Sequence, residues 1–326
     1  MALNKVRMLC SHLSHMPLHT IFQHSGVTEK HGFELEVDIA NVEMKGSIIK
    51  MPERAPALLA GKYEFLSGLH HETYIYRAKG DKRFVYLAQT QNDWDDRLIA
   101  RPEITNAKQL EGKKILTAQA PCVGGNLEQS LKRAGVDTSQ VELVYGRSML
   151  RRGIQGHEAV EMVVRGEIEA ANVDIPFDFR ARKRGLNVID LPARPVIHNT
   201  TICASTDYVL KNEAAVISFL KALIEAIHFF KTEKEKSRAL IKKHLVPLLH
   251  LEGDDEVEYL HAEWTKLLSA KPYPHPLAVW NVYDLDVGHD PKVNFISPFE
   301  IWDTHYLRIV DDSGFIDGLY GESARA

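Results

Sequence analysis

Histidines are the residues best equipped for chemistry in this chain, and they cluster. Of sixteen in 326 residues, His12, His15, His19, His24 and His31 lie in the first 31, and His70 and His71 follow as an adjacent pair. An imidazole titrates near neutrality, so two or more around one mouth can relay protons to a substrate. Imidazoles three or four residues apart can also share a divalent metal, which makes His12, His15, His70 and His71 candidate ligands. Pro17 interrupts any helix running from His12 to His19, so the spacing alone does not put the first three on one face. Scattered packing or surface histidines are the plainer alternative. For His19, His24 and His31, carried on the first helix, surface exposure is expected.

Other side chains suit an anion. Arg77 and Arg97 each offer a planar fork that pairs with a carboxylate, although Arg77 falls on a predicted helix whose face suits solvent. Asp174 could orient a ligand or act as a base, or simply cap a helix starting at Pro176. Glu72 suits the first turn of its helix. The basic run from Arg180 to Arg184 reads as a solvated helix face. The three cysteines, Cys10, Cys122 and Cys203, form no CxxC pair and read as small buried apolar residues in a reducing compartment.

These groups need elements to hold them. Strand-like runs at 5–9, 33–39, 63–66 and 84–89 alternate with helix-like segments at 17–30, 52–60 and 71–79. The pattern restarts after residue 95, with strands at 97–100, 113–117, 141–145, 170–173 and 187–191 and helices at 124–134, 157–165 and 176–184. Such alternation predicts two α/β blocks, each with a covered parallel sheet. The last third is helical: Val216, Phe219, Leu220, Leu223, Ile224, Ile227 and Phe230 recur at helical spacing. Helices over 233–244 and 255–268 follow, and five prolines over 271–300 predict an irregular connection.

Composition excludes several classes. Apolar residues at 44% and charged ones at 26% are those of a globular protein, and a formal net charge of -4 leaves no basic excess for nucleic acid. No apolar run approaches the ~20 residues of a membrane helix. The opening residues lack the basic-then-apolar pattern of a secretory signal, so cytoplasmic residence is expected. No cofactor motif is present, and a divalent metal is the one inorganic partner the histidines suggest.

Several stretches together resemble a known architecture. Gly32–Val37 is similar to the segment that follows the first helix in the type II periplasmic-binding-protein superfamily, in its sulfonate-, nitrate- and thiamine-pyrimidine-related branch. Ala57–Phe65, Leu110–Ile115, Val164–Pro176 and Phe315–Asp317 resemble further elements of that branch in the same order. The resemblance implies a bilobal clamshell: lobe 1 from residues 1–95 plus 203–326, lobe 2 from 96–202, and a helical C-terminal third. A small anion would bind between the lobes at the carboxyl ends of the strands, where open α/β sheets place ligands. That puts Ser11, His12, His15, His70, His71 and Asn92 at one lip. Gly124, Gly125, Asn126, the turn at 145–147 and Asp174 would form the other.

The branch also resembles enzymes. The thiamine-pyrimidine synthases carry a cysteine cluster, and the stretch here that is similar in position, Asn199–Ala204, has only Cys203. The sulfinate desulfinases use a first-loop cysteine, then a histidine and an arginine. Here His70 or His71 and Arg77 fall in that region, while the first-loop position lies near His12–Leu13. With thiol chemistry unsupported, the expectation is a cytoplasmic lyase of decarboxylase type, acting on a small aromatic carboxylate or related anion. His12, His70 and His71 would transfer protons, and Ser11, His15, Arg77, Asn92, Arg97, Gly124, Gly125, Asn126 and Asp174 would bind substrate. The alternative is a substrate-binding protein of an ABC transporter for a sulfonate, nitrate, aromatic acid or pyrimidine.

Overall fold

A computed structural model describes residues 3–44, 46–118, 121–145, 156–286 and 296–321. Among these residues ten strands form two five-stranded sheets. The first sheet has the order β2-β1-β3-β10-β4, from β1 (Asn4–Cys10), β2 (Phe33–Ile39), β3 (Phe65–Ser67), β4 (Phe84–Gln89) and β10 (Thr201–Ser205). The second has the order β7-β6-β8-β5-β9, from β5 (Arg97–Ala100), β6 (Lys114–Thr117), β7 (Glu142–Tyr145), β8 (Ala170–Val173) and β9 (Asn187–Ile189). The expected α/β clamshell of two sheets with two crossovers is what the chain adopts.

Each sheet departs from the parallel expectation at one strand. β10 runs antiparallel to β3 and β4, and β5 runs antiparallel to β8 and β9. Both are the first strand after a crossover. The chain arrives at the mouth of the new sheet and must run away from it, opposite to its neighbours. The start of β10 therefore lies beside the ends of β3 and β4, and the start of β5 lies beside the end of β8. This arrangement brings both crossovers to the same edge as the strand-end turns.

The helix Glu213–Thr232 buries its predicted stripe, with Phe219 stacked on Phe65 at 3.7 Å. It packs with Met16–His24 on one face of the first sheet. A second core joins the other face of that sheet to the second sheet through Ala278, Val279, Val282 and Tyr283. These last residues belong to a helix, Pro276–Asp286, inside the segment expected to be irregular. Pro276 opens that helix, where no backbone N–H is required, so this proline starts an element rather than breaking one. The predicted helix over 17–30 is two helices, Met16–His24 and Val27–Lys30, parted at Gly26, whose φ of 85° is left-handed.

Two surface expectations fail. His19 is fully buried, because Met16–His24 is covered on nearly every side rather than amphipathic. Arg180 is also buried: its Nε and Nη2 donate to the two carboxylate oxygens of Glu256 at 2.7 and 2.6 Å. This bidentate pair fastens the helix Phe177–Lys183 of the second sheet to Asp254–Leu267 of the C-terminal third. Among the described residues no helix is long and apolar enough to cross a membrane.

Candidate ligand site between the two sheets

The first sheet ends in a wall of imidazoles. After β1, His12 takes extended backbone geometry and caps the short turn Leu13–His15, its Nδ1 accepting from the Ser14 N–H at 3.2 Å. His12 stays open to solvent, whereas His15, one turn on, is buried. After β3, Gly68 has φ of +89°, and a Cβ there would stand 2.3 Å from His15 Cε1. Only glycine lets the His15 ring lie against that backbone. The His15 and His70 rings are 6.5 Å apart, His70 and His71 4.9 Å, and His12 and His15 6.3 Å. His198, from the return crossover, stands 6.0 Å from His70. The Nδ1 atoms of His15, His70 and His198 are buried without a hydrogen-bond partner. Behind the wall, His19 Nε2 meets Ser67 Oγ at 2.7 Å.

Arg54 supplies the fixed charge of the wall. It opens the helix Arg54–Leu59 and is buried; its Nη1 donates to Ser11 Oγ at 2.6 Å and its Nη2 to Glu72. Burial, and then the neighbouring imidazoles and Arg54, hold His15 and His70 well below the ordinary histidine value. Burial brings His19 and His198 down to about 3. At neutral pH these imidazoles are therefore uncharged, each with one N–H to donate and one nitrogen to accept. Burial pushes the Cys10 thiol up to about 12, and its Sγ donates to the His12 carbonyl, so it is no ready nucleophile.

Facing the wall is a knot of carboxylates. Asp95 and Asp96 come from the first crossover and Asp174 from the end of β8, where its carboxyl hydrogen-bonds that of Asp96. Burial, and then mutual repulsion, drive all three far above the ordinary carboxylate range. Asn199 Nδ2 donates to Asp95 Oδ1 at 2.8 Å and to Gln91 Oε1 at 3.0 Å, and Asn172 Nδ2 donates to Asp96 Oδ2 at 2.9 Å. Asp174 does not cap the following helix with its side chain; only its backbone carbonyl accepts, from Phe177 N–H.

The structure thus brings together Ser11, His12, His15, His70 and His71, with Asp174 across from them. The other candidates have partners of their own. Arg77 donates to the Glu300 carbonyl and clasps the turn Pro298–Ile301, away from the mouth. Arg97 turns to Glu263 of the C-terminal third at 3.3 Å and to Asp178 of the helix Phe177–Lys183 at 3.9 Å. Asn92 uses both ends of its amide on Tyr273 and His275. Gly124 and Gly125 lie in the π-turn Pro121–Gly125, and Gly125 packs beside Leu285. Asn126 Oδ1 accepts from Arg194 at 2.8 Å, a tie to the return crossover. Of the turn at 145–147, residues 146 and 147 lie outside the described residues, as does the Cys122 side chain. Arg54, His19, His198, Asp95 and Asp96 are the members that sequence reasoning missed. The adjacent Asp95-Asp96 at a crossover was a usable signal, but nothing local marks Arg54.

Residues 40–237 match the family model described as NMT1/THI5 like. No curated protein sequence matches the chain. The fold is similar to that of a protein from Bordetella bronchiseptica RB50, at TM-score 0.70 and 16% identity over 96% of this chain and 99% of that one. It is similar to the putative sulfonate ABC transporter periplasmic sulfonate-binding protein SsuA from Methylobacillus flagellatus KT, at 0.66 and 14% over 97% and 96%. It is also similar to the desulfurization enzyme DSZB, at 0.63 and 12% over 95% and 99%. These likenesses establish the type II periplasmic-binding-protein fold.

Proposed function

The chain belongs to the NMT1/THI5-like family, and from that membership we propose that it is a clamshell that captures one small organic anion, as the substrate-binding proteins of ABC importers do. The observation that carries this reading is the convergence of His12, His15, His70, His71 and His198 with Arg54 at one sheet edge. Several neutral N–H donors around one guanidinium suit the three oxygens of a sulfonate, or a carboxylate, without trapping it irreversibly. The fold likeness to a putative sulfonate-binding protein supports the same ligand class.

The lyase reading is the second. The imidazole cluster and the fold likeness to DSZB favour it. Against it stands the depression of His70, because a buried imidazole titrating well below neutrality holds no proton to deliver at pH 7. Decarboxylation needs such a donor as carbon dioxide leaves, whereas capture needs none.

The deciding experiment is calorimetric titration with alkane- and arylsulfonates, sulfinates and aromatic carboxylates, each mixture then assayed for product. Stoichiometric binding with the ligand recovered intact is the expected result. Turnover that disappears in His12→Ala and His71→Ala, with the fold retained, would replace capture by catalysis. Fractionation of cells expressing the full chain adds a second axis: export accompanies the carrier and cytoplasmic residence the enzyme.

A further inference from the structure

We propose that Asp95, Asp96 and His198 bind a single divalent transition-metal ion where the two crossovers meet, with Asn172 as a fourth ligand. Among the described residues these are the one group whose three ligand atoms all lie within 4.8 Å of one another. His12, His15, His70 and His71, the metal candidates suggested by spacing, form no such group. His198 Nε2 stands 3.6 Å from Asp96 Oδ1 and 3.8 Å from Asp95 Oδ1. Both separations are too long for a hydrogen bond. They suit atoms that share an ion, since two ligands each ~2.1 Å from a tetrahedral centre lie about 3.4 Å apart.

An independent observation points to a cation. Asn172 is only 8% exposed, and its Nδ2 is committed to Asp96. Its Oδ1 has no donor, although it is buried and held beside the same carboxylate. A buried carbonyl oxygen without a partner costs free energy, and a metal ion satisfies it without a proton. The charge pattern agrees. Asp95, Asp96 and Asp174 crowd together, while the neighbouring Arg97 is directed to Glu263, to Asp178 and to the Asp95 carbonyl.

The supporting residues resemble an outer shell. Asn199 has φ of 54°, a left-handed geometry that asparagine tolerates better than most residues, and its amide fixes Asp95 while bonding Gln91. One imidazole, two carboxylates and one amide oxygen make a mixed nitrogen and oxygen set. Such a set selects zinc, cobalt, manganese or ferrous iron over the all-oxygen preferences of calcium and magnesium. The site would fasten both crossovers to the end of β8. It shares His198 with the imidazole wall but does not rest on the anion reading, because Asp95, Asp96 and Asn172 take no part in that wall.

The test uses the full chain stripped with chelator and then titrated with Co²⁺, followed by visible absorption, and with Zn²⁺, followed by elemental analysis after gel filtration. The wild type is expected to retain one equivalent and to melt at a higher temperature with the metal. Asp96→Asn and His198→Gln are expected to bind at least tenfold more weakly and to lose the metal-induced rise in melting. The stack of His24 on the half-buried His244, 3.8 Å apart, is the obvious competing locus, so the double variant His24→Ala/His244→Ala must keep its equivalent. If Asp96→Asn fails to fold, Asn172→Ala gives the same readout. The proposal is overturned if the wild type retains neither ion, or if the first two variants bind as tightly as the wild type.

Discussion

The imidazole wall and the carboxylate knot are two clusters of desolvated ionisable groups that meet at His198, yet burial acts on them in opposite ways. It strips protons from the wall and forces protons onto the knot. A neutral imidazole keeps both a donor and an acceptor, so the wall is complete as a binding surface. The knot leaves the buried Asn172 Oδ1 unpartnered beside Asp96, so it is the cluster with a place for a cation. The wall is also local: two turns of one sheet, after β1 and β3, supply most of it. The knot is assembled from residues as distant as Asp95 and His198.

The substitution that separates the two most sharply is Gly68→Ala. Its Cβ would collide with His15 at 2.3 Å, from a backbone φ that disfavours any side chain. Anion affinity should fall by two orders of magnitude or more, on the scale of about 3 kcal/mol of strain and lost contacts. Calorimetry reads this loss, and an unchanged cobalt titration would show that the knot stands without the wall. Equal loss of both would merge them into one site.

Arg54→Met comes next. It removes the permanent cation of the wall and leaves Ser11 and Glu72 without their donor. A charge-assisted hydrogen bond contributes about 1.5–3 kcal/mol, so ligand affinity should drop between about tenfold and a hundredfold. Affinity that survives this change would assign the anion to the imidazoles alone.

How much of this could be read from residues alone differs between the clusters. The two α/β blocks followed from alternating strands and helices, and Ser11, His12, His15, His70 and His71 followed because strand-end turns of a parallel sheet share one edge. Arg54, Asp95, Asp96 and His198 did not follow. Their meeting depends on β10 inserting antiparallel between β3 and β4, and hydrophobic periodicity does not encode strand order. His19 was misjudged for a related reason: a helix laid on a sheet and flanked by the helix Glu213–Thr232 has no solvated face at that position to carry it. Arg180 repeats the lesson, since the acid that buries it, Glu256, is 76 residues away.

His19 gives the third prediction, a stability effect. Its folded pKa is about 3 against an ordinary 6.5, with burial as the cause and His15 as the neighbouring titratable group. Below pH 6.5 the unfolded chain takes up a proton that the folded chain refuses. Stability is therefore intact above 6.5 and falls as the pH drops toward 3. From pH 7 to 5 His19 alone should cost about 2 kcal/mol. Urea unfolding at the two pH values measures it, and His19→Gln should flatten the dependence while lowering stability at pH 7. An unflattened slope would move the acid sensitivity to His15 and His70.

The smallest effect tests the wall on its own terms. An anion seated against neutral imidazoles favours their protonated forms, so it raises pKa values that burial had lowered, and binding draws in a proton. Affinity should then rise as the pH falls from 8 to 6, by less than the about tenfold per unit that one full proton allows. Repeating the calorimetry in buffers of different ionisation enthalpy measures the uptake directly. Below pH 6 the rise should stop, because the buried imidazoles then favour the unfolded chain. A flat profile without proton uptake would mean that Arg54 alone meets the charge. The histidines would then be neutral hydrogen-bond donors, and the wall would differ from the knot in chemistry but not in its coupling to protons.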